Sequence, residues 1–215
     1  MTQDAQTPRI CIVDDDPEVR GSVGSLLRSG GFDIALYETT AAFLAAGIPI
    51  VPSCLVLDIR LGGESGLDFQ DWLASAGIEI PVILITGHGD IPMTVRGMRA
   101  GAIDFLTKPF SEQQMLDAVA TAVAIDAAHR IAASDKAILH RSYGGLTPRE
   151  REVMGFVVTG LMNKQVAARM SLSEITVKIH RGNVMRKMAA PSLADLVRMA
   201  EVLGVRDDTI HRYNI

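Results

Sequence analysis

The stretch Cys54-Leu55-Val56-Leu57-Asp58, followed at once by Ile59-Arg60-Leu61-Gly62-Gly63, decides how the rest of the chain is read. Four apolar residues end on a carboxylate, and the chain then enters a loop containing glycine. A short apolar run between turn signals reads as a strand buried on both faces, the pattern of a parallel sheet. Functional groups in open α/β sheets collect at the carboxyl ends of the strands. Asp58 therefore stands where a functional carboxylate is expected, although an aspartate in this place also commonly caps a turn or helix. The ends of the neighbouring strands discriminate between the two.

Working outward, Ile10–Val13 is a short apolar run that ends in Asp14-Asp15-Asp16-Pro17. It predicts a strand, an acidic loop and a helix from about Glu18 to Arg28, with Pro17 at a tolerated first-turn position and Gly30-Gly31 as the stop. Further strands are expected over residues 32–36, 53–58 and 81–85, and over Ile103–Leu106. The fourth ends on Thr86-Gly87-His88-Gly89 and the fifth on Thr107-Lys108-Pro109. Helices are expected over 40–46, over 66–75, up to about Ala100, and after the cap Ser111. Strands alternating with helices in this way predict a doubly wound, five-stranded parallel sheet.

Parallel strands bring Asp14 and Asp15, Asp58, Thr86 and Lys108 to one edge of that sheet. Clustered carboxylates repel one another and call for a cation; all-oxygen ligands with open positions suit Mg2+. Lys108 adds a fixed positive charge and Thr86 a hydroxyl donor. A carboxylate held against a divalent metal and a lysine can attack phosphorus and form an acyl phosphate. The plainer reading, a cap cluster and a surface lysine, leaves four strand ends to coincidence.

The net charge of −4 hides an asymmetry: residues 1–125 carry −9 and residues 126–215 carry +5. Two domains with different partners are expected, the basic one facing nucleic acid. Cys11 and Cys54 lie in expected strands and read as small hydrophobes, without disulfide or zinc spacing. The polar N-terminus lacks the pattern of a signal peptide, and no apolar run has membrane-spanning length, so a cytoplasmic protein without membrane association is expected.

The set Asp14-Asp15, Asp58, Thr86 and Lys108-Pro109 resembles the receiver domain of two-component response regulators over about residues 8–125. The segments Gly87–Met93 and Ala100–Phe110 resemble the FixJ/NarL-type subgroup. The resemblance implies a flavodoxin-like fold with Asp58 as phosphoacceptor. Asp15, Asp58 and the backbone carbonyl of Arg60 would hold Mg2+, with Asp14 acting partly through water. Thr86 and Lys108 would contact the phosphoryl group, and Phe105 would be an aromatic switch coupled to Thr86, or else an ordinary core residue. Two features depart from the family pattern. The triple Asp14-Asp15-Asp16 leaves the register of the acidic pair open, strand length favouring 14 and 15. Gly62 stands where the family usually has proline, four residues after the phosphoacceptor, which predicts a freer loop.

From Ser111 to about His140 there is neither proline nor glycine, and alanine is dense. Leu116, Val119, Val123 and Ala127 keep an apolar face at helical spacing. A last receiver helix running on as a linker to Gly144-Gly145 is expected, the alternative being a helix that ends near 125 and a disordered linker. The expected division is therefore 1–125, a linker over 126–145, and a second domain over 146–215.

Thr147-Pro148-Arg149-Glu150 is a capping box that opens a helix to about Thr159. Asn163 is expected to cap a short helix, Lys164–Met170, and Ser173 a longer one to about Met188; a last helix follows over Leu193–Leu203. Short helix, tight turn and longer basic helix form a helix-turn-helix signature. Ile175, Val177, Val184 and Met188 are assigned to its core side, and residues 146–200 hold 9 basic against 4 acidic groups. Leu146–Glu150, Asn163–Ala167, Thr176–Arg181 and Met185–Met188 resemble the LuxR-type output domain. That resemblance places Lys178, Ile179 and Gly182 toward the DNA groove and Thr176, Arg181 and Lys164 toward backbone phosphates. Lys178 is the best placed to read guanine. His180 is read as structural or phosphate-facing, and Arg186 and Lys187 as either solvated or bound.

The whole predicts a phosphorylation-controlled, DNA-binding transcription regulator. Its partners would be a sensor histidine kinase, double-stranded promoter DNA, RNA polymerase and, on phosphorylation, a second copy of itself. It is not expected to be an enzyme acting on an external substrate. The rivals are a phosphatase with an aspartyl nucleophile and a binding module regulated by protein contacts alone.

Overall fold

The chain is described by a computed structural model covering residues 7–88 and 90–205. It divides into two compact units, 1–131 and 132–215.

The first unit is built on β1 (Arg9–Val13), β2 (Asp33–Tyr37), β3 (Ser53–Asp58), β6 (Val82–Thr86) and β7 (Asp104–Thr107). They form one parallel sheet in the order β2-β1-β3-β6-β7. Every residue of β3 is buried, as a central strand covered on both faces requires. The strand period of two then sorts the core into two layers. Ile10, Ile12, Cys54, Val56, Ile83 and Ile85 face one cluster with Val23, Leu27, Met115 and Val119. Cys11, Val13, Leu55, Leu57, Val82 and Leu84 face the other with Phe43, Leu67 and Leu73. The helices supplying these covers are α1 (Pro17–Ser29), α2 (Thr40–Ala46), α3 (Gly66–Ser75), α4 (Ile91–Arg99) and α5 (Glu112–Gly144). Asp16, Thr39, Ser65 and Asp90 accept backbone N–H groups at the starts of the first four. Both cysteines are free and fully buried, and burial pushes the Cys11 thiol up to about 11 and that of Cys54 further, so neither is a nucleophile.

The stretch after Asp58 is a small hairpin, β4 (Arg60–Leu61) against β5 (Glu64–Ser65), where the sequence had pointed to a free loop. Gly62 and Gly63 make its two-residue turn with φ of 47° and 115°. Positive φ at both central positions is what a type I′ hairpin turn demands, and proline cannot supply it. Gly66 is required for a different reason: a Cβ there would run into the backbone carbonyl of Asp58. The hairpin is tied to α2 by the Thr40 hydroxyl, which donates to Glu64 Oε2 at 2.6 Å.

α5 is a single helix from Glu112 to Gly144, the long form of the two expected. Buried Asp126 accepts the Ser53 N–H at 2.8 Å and Arg130 Nε at 2.6 Å, and Arg130 reaches the Pro49 carbonyl at 2.9 Å. The sheet thus anchors α5 as far as Arg130. No helix among the described residues is long and apolar enough to cross a membrane.

The second unit is all helical: α6 (Pro148–Val158), α7 (Asn163–Met170), α8 (Glu174–Lys187) and α9 (Leu193–Leu203) follow the end of α5. Leu146, Val153, Met154, Val157, Val166, Val177, Val184, Met188 and Leu196 fill its core, with Leu139 and Tyr143 of α5 against it. The capping box at Thr147 and Glu150 forms as expected. Asn163, however, is the first residue of α7 and not its cap: Met162 precedes the helix, its N–H donated to the Gln165 side chain at 2.9 Å. Lys187 is neither free in solvent nor an open DNA contact, because it is paired within the domain. Its ammonium donates to buried Glu150 at 2.7 Å, and that carboxylate also accepts the Thr147 N–H at 2.8 Å.

The hydrogen bond from Lys187, followed by that from Thr147, lowers the Glu150 pKa from 4.5 to about 2. A carboxylate depressed on folding stabilises the fold above its unfolded pKa and loses that contribution as pH falls through the folded value. Glu150→Gln keeps an acceptor for the cap but no charge. Its melting temperature is expected to fall at pH 7, and the loss of stability that the wild type shows between pH 4.5 and about 2 should flatten. For the hairpin, Gly62→Pro is expected to destabilise β4–β5 by more than about 1 kcal/mol, because the ring cannot reach the native φ; faster amide hydrogen exchange confined to that hairpin would register it.

Candidate functional site

Parallel registry aligns Val13 with Leu57, Asp58 with Ile85 and Thr86 with Thr107, so the residues that end four strands meet along one edge. Asp14, Asp15 and Asp58 offer carboxylate oxygens that all lie within 4.8 Å of one another. Asp16 does not join them, because its side chain caps α1 through the N–H groups of Glu18 and Val19. The acidic pair at the cluster is thus 14 and 15.

Lys108 bridges two of the carboxylates, with Nζ 2.8 Å from Asp14 Oδ2 and 2.6 Å from Asp58 Oδ2. Its backbone N–H donates to the Thr86 carbonyl at 2.7 Å, which fixes where its side chain begins. The other oxygens are held locally: Asp14 Oδ1 accepts the Asp16 N–H and Asp58 Oδ1 the Arg60 N–H, each at 2.9 Å. Burial raises the Asp14 carboxyl above its ordinary range, against the lowering effect of Lys108. Burial also works against the Lys108 charge, but its hydrogen bonds to Asp14 and Asp58 outweigh this and raise its pKa.

Three carboxylates against one ammonium leave an excess of negative charge, and every donor is a hard oxygen. That set fits a Mg2+-like divalent cation. Asp14 is fully buried, Asp58 nearly so and Asp15 exposed, so the cluster opens to solvent on the Asp15 side. The hairpin turn lies beside it: a Cβ on Gly62 would stand 3.5 Å from Asp15 Oδ2. Arg60 opens that hairpin, tied to Asp58 by its N–H.

Thr86 is fully buried at the end of β6, its Oγ1 accepting the His88 N–H at 3.2 Å. Phe105 pairs with Leu84 in the register that pairs Thr86 with Thr107, placing Phe105 and Thr86 on one face of adjacent strands. Phe105 is half-buried against the cluster that contains Leu84 and Leu67.

In the second unit, α7 and α8 are joined by Ser171-Leu172-Ser173, with Ser171 in the left-handed region at φ 54° and Ser173 capping α8. Lys164, Lys178, Ile179 and Gly182 are exposed. Thr176 is half-buried, with its hydroxyl 2.8 Å from that of Ser173. Arg181 is half-buried and donates through Nη1 to Asn163 Oδ1 at 3.2 Å, which orients its guanidinium across the two helices. His180 is half-buried with Nδ1 unpartnered among the described residues. Val177, Val184 and Met188 enter the core as expected, whereas Ile175 does not: it is 73% exposed. Its spacing to Lys178, Gly182 and Arg186, three, seven and eleven residues on, puts Ile175 on the polar face of the helix and was the signal that could have placed it outside. The Thr40–Glu64 tie had no sequence signal, since its partners are 24 residues apart.

Comparison with known proteins bears on both units. Residues 10–120 match the model of the response regulator receiver domain, and residues 145–200 that of the bacterial regulatory proteins of the luxR family. Nodulation protein W of Bradyrhizobium diazoefficiens is 54% identical over 196 residues, 91% of this chain and 86% of that protein. Response regulator protein TodT of Pseudomonas putida is 43% identical over 194 residues, 90% of this chain and 86% of that protein. Among solved structures, the response regulator StyR is similar with a TM-score of 0.83 at 44% identity, covering 91% of this chain and 98% of that one. Full-length FixJ from B. japonicum has a TM-score of 0.54 at 35% identity, covering 93% and 98%. An acidic cluster at the sheet edge and a helix-turn-helix on one chain are therefore parts of a known architecture: the chain belongs to the response regulators, as a phosphorylation-dependent transcription regulator with a receiver domain and a LuxR-type DNA-binding domain.

Proposed function

We propose that Asp58 is the phosphoacceptor and that a sensor histidine kinase supplies the phosphoryl group. The observation that carries this reading is the bridge of Lys108 between Asp58 and Asp14 inside a three-carboxylate cluster. A carboxylate oxygen of Asp58 attacks phosphorus, the bond from phosphorus to the donor's nitrogen breaks, and the donor leaves with that electron pair. Asp14, Asp15, Asp58 and the Arg60 carbonyl would hold Mg2+, which supplies charge neutralisation for the transferring oxygens. Lys108 moves from pairing carboxylates to pairing a phosphoryl oxygen. The Thr86 hydroxyl donates to another, and Phe105, on the same face, follows it as the switch. No external substrate is assigned to the site.

The receiver occupies residues 1–125, the linker helix 126–145 and the output domain 146–215. Phosphorylation drives pairing of two copies, which presents two α8 helices to a two-fold promoter site. Lys164, Thr176 and Arg181 contact phosphates, Lys178 reads guanine, and Ile179 and Gly182 face the groove. RNA polymerase is the onward partner, and the protein acts in the cytoplasm.

With Mg2+ and beryllofluoride, the wild type is expected to change from monomer to dimer in size-exclusion mass measurements. Its DNA affinity should rise by about 5- to 150-fold, the usual range of allosteric coupling. Asp58→Ala should show neither response; equal behaviour of the two proteins would remove Asp58 from the switch. In a salt titration of DNA binding, Lys164→Ala is expected to lower the slope of log K against log salt by about 0.9, the contribution of one phosphate contact.

A further inference from the structure

The core of the second unit takes Val177 and Val184 from α8 and Met188 from its C-terminal cap. It leaves Ile175 73% and Ile179 59% exposed, one turn apart. At about 100° per residue, Ile175, Lys178, Ile179, Gly182 and Arg186 share one arc of about 100°, with Ile175 and Gly182 in its middle. All five are exposed. Gly182 contributes no side chain, and a Cβ built there would meet nothing within 4 Å. Along this arc Ile175 stands beside the open space left by Gly182, with Lys178 at one edge, Ile179 at the other and Arg186 about three turns further along the helix.

An exposed isoleucine pair accompanied on the same arc by the cations Lys178 and Arg186 fits a ligand that is anionic at its rims and apolar at its floor. The major groove has that form: phosphates line its rims, and the C5-methyl of thymine is the apolar group on its floor, absent from the groove edge of a G·C pair. We propose that Ile175 is a base-reading residue that packs on a thymine methyl in the major groove, so that site selection depends on apolar contact in the first turn of α8 as well as on Lys178. This rests on the reading of α8 as the recognition helix.

The test uses the full-length protein with Mg2+ and beryllofluoride to enrich duplexes from a random-sequence pool. Each thymine of the enriched duplex is then replaced singly by deoxyuridine, which removes the methyl and nothing else. At one thymine per half-site, wild-type affinity is expected to fall about three- to fivefold, the value of one buried methyl group. Ile175→Ala, which improves local helix propensity, should bind the unmodified duplex as weakly as the wild type binds that deoxyuridine duplex. It should also ignore the replacement, and Ile175→Val should recover most of the sensitivity. Methyl deletions that affect wild type and Ile175→Ala equally at every position overturn the proposal. Binding of any duplex at low salt without enrichment overturns base reading by Ile175 and leaves phosphate contact standing. No binding to any duplex overturns the DNA-binding reading of α8 along with it.

Discussion

One ammonium group, Nζ of Lys108, stands between carboxylates from two different strands, and the active edge of the sheet depends on it. Two like charges 4.8 Å apart repel by roughly 3 kcal/mol at an effective dielectric of 20. Three crowded carboxylates are therefore a standing cost to the fold, and Lys108 offsets only part of it. The remainder is carried by the sheet itself. β3 is buried along its whole length, and two apolar layers hold its end, and hence Asp58, in place. A negative site only partly offset by Lys108, held on a sheet covered on both faces, could hold a divalent cation.

The second unit solves the opposite electrostatic problem. Its basic groups must stay on the surface without an acidic partner stealing them. Glu150, the one acidic side chain among the described residues drawn deep into this core, is occupied by the capping box and by Lys187 at the C-terminal end of α8. Lys178, nearer the start of that helix, remains exposed. Arg181 is aimed by Asn163 through a single neutral hydrogen bond, which leaves most of its donors uncommitted to a carboxylate.

What the sequence disclosed, and what it hid, follows from how local each determinant is. The strand ends were legible because a buried parallel strand writes itself as a continuous apolar run, and adjacency on the sheet edge follows from topology alone. Caps such as Thr147 and Ser173 were legible for the same reason, their partners being three residues away. Ile175 was misplaced because hydrophobicity at helical spacing is taken to mean core, whereas the outer face of α8 leaves both Ile175 and Ile179 exposed. Asn163 was misread as a cap because the side chain that satisfies the helix start belongs to Gln165. The hairpin after Asp58 was legible only as a pair of glycines. Its turn type appears once the backbone angles are known, and then explains why glycine replaces the proline that the family resemblance leads one to expect.

The helix α5 shows how an element can be specified by different physics along its length. Its first half is held by burial, through Met115, Val119 and Ala122, and by Asp126 accepting the Ser53 N–H where β3 begins. Its last turns are held by Leu139 and Tyr143 against the second core. Between them, residues 131–138 are all exposed, so nothing but intrinsic propensity and the two anchored ends sustains the helix there. Alanine at 132, 133 and 137 supplies that propensity at little entropic cost. Because nucleation is the expensive step and both flanks are already helical, the middle needs only to propagate. A continuous helix from Glu112 to Gly144 is therefore the outcome of two packed ends and an alanine-rich bridge.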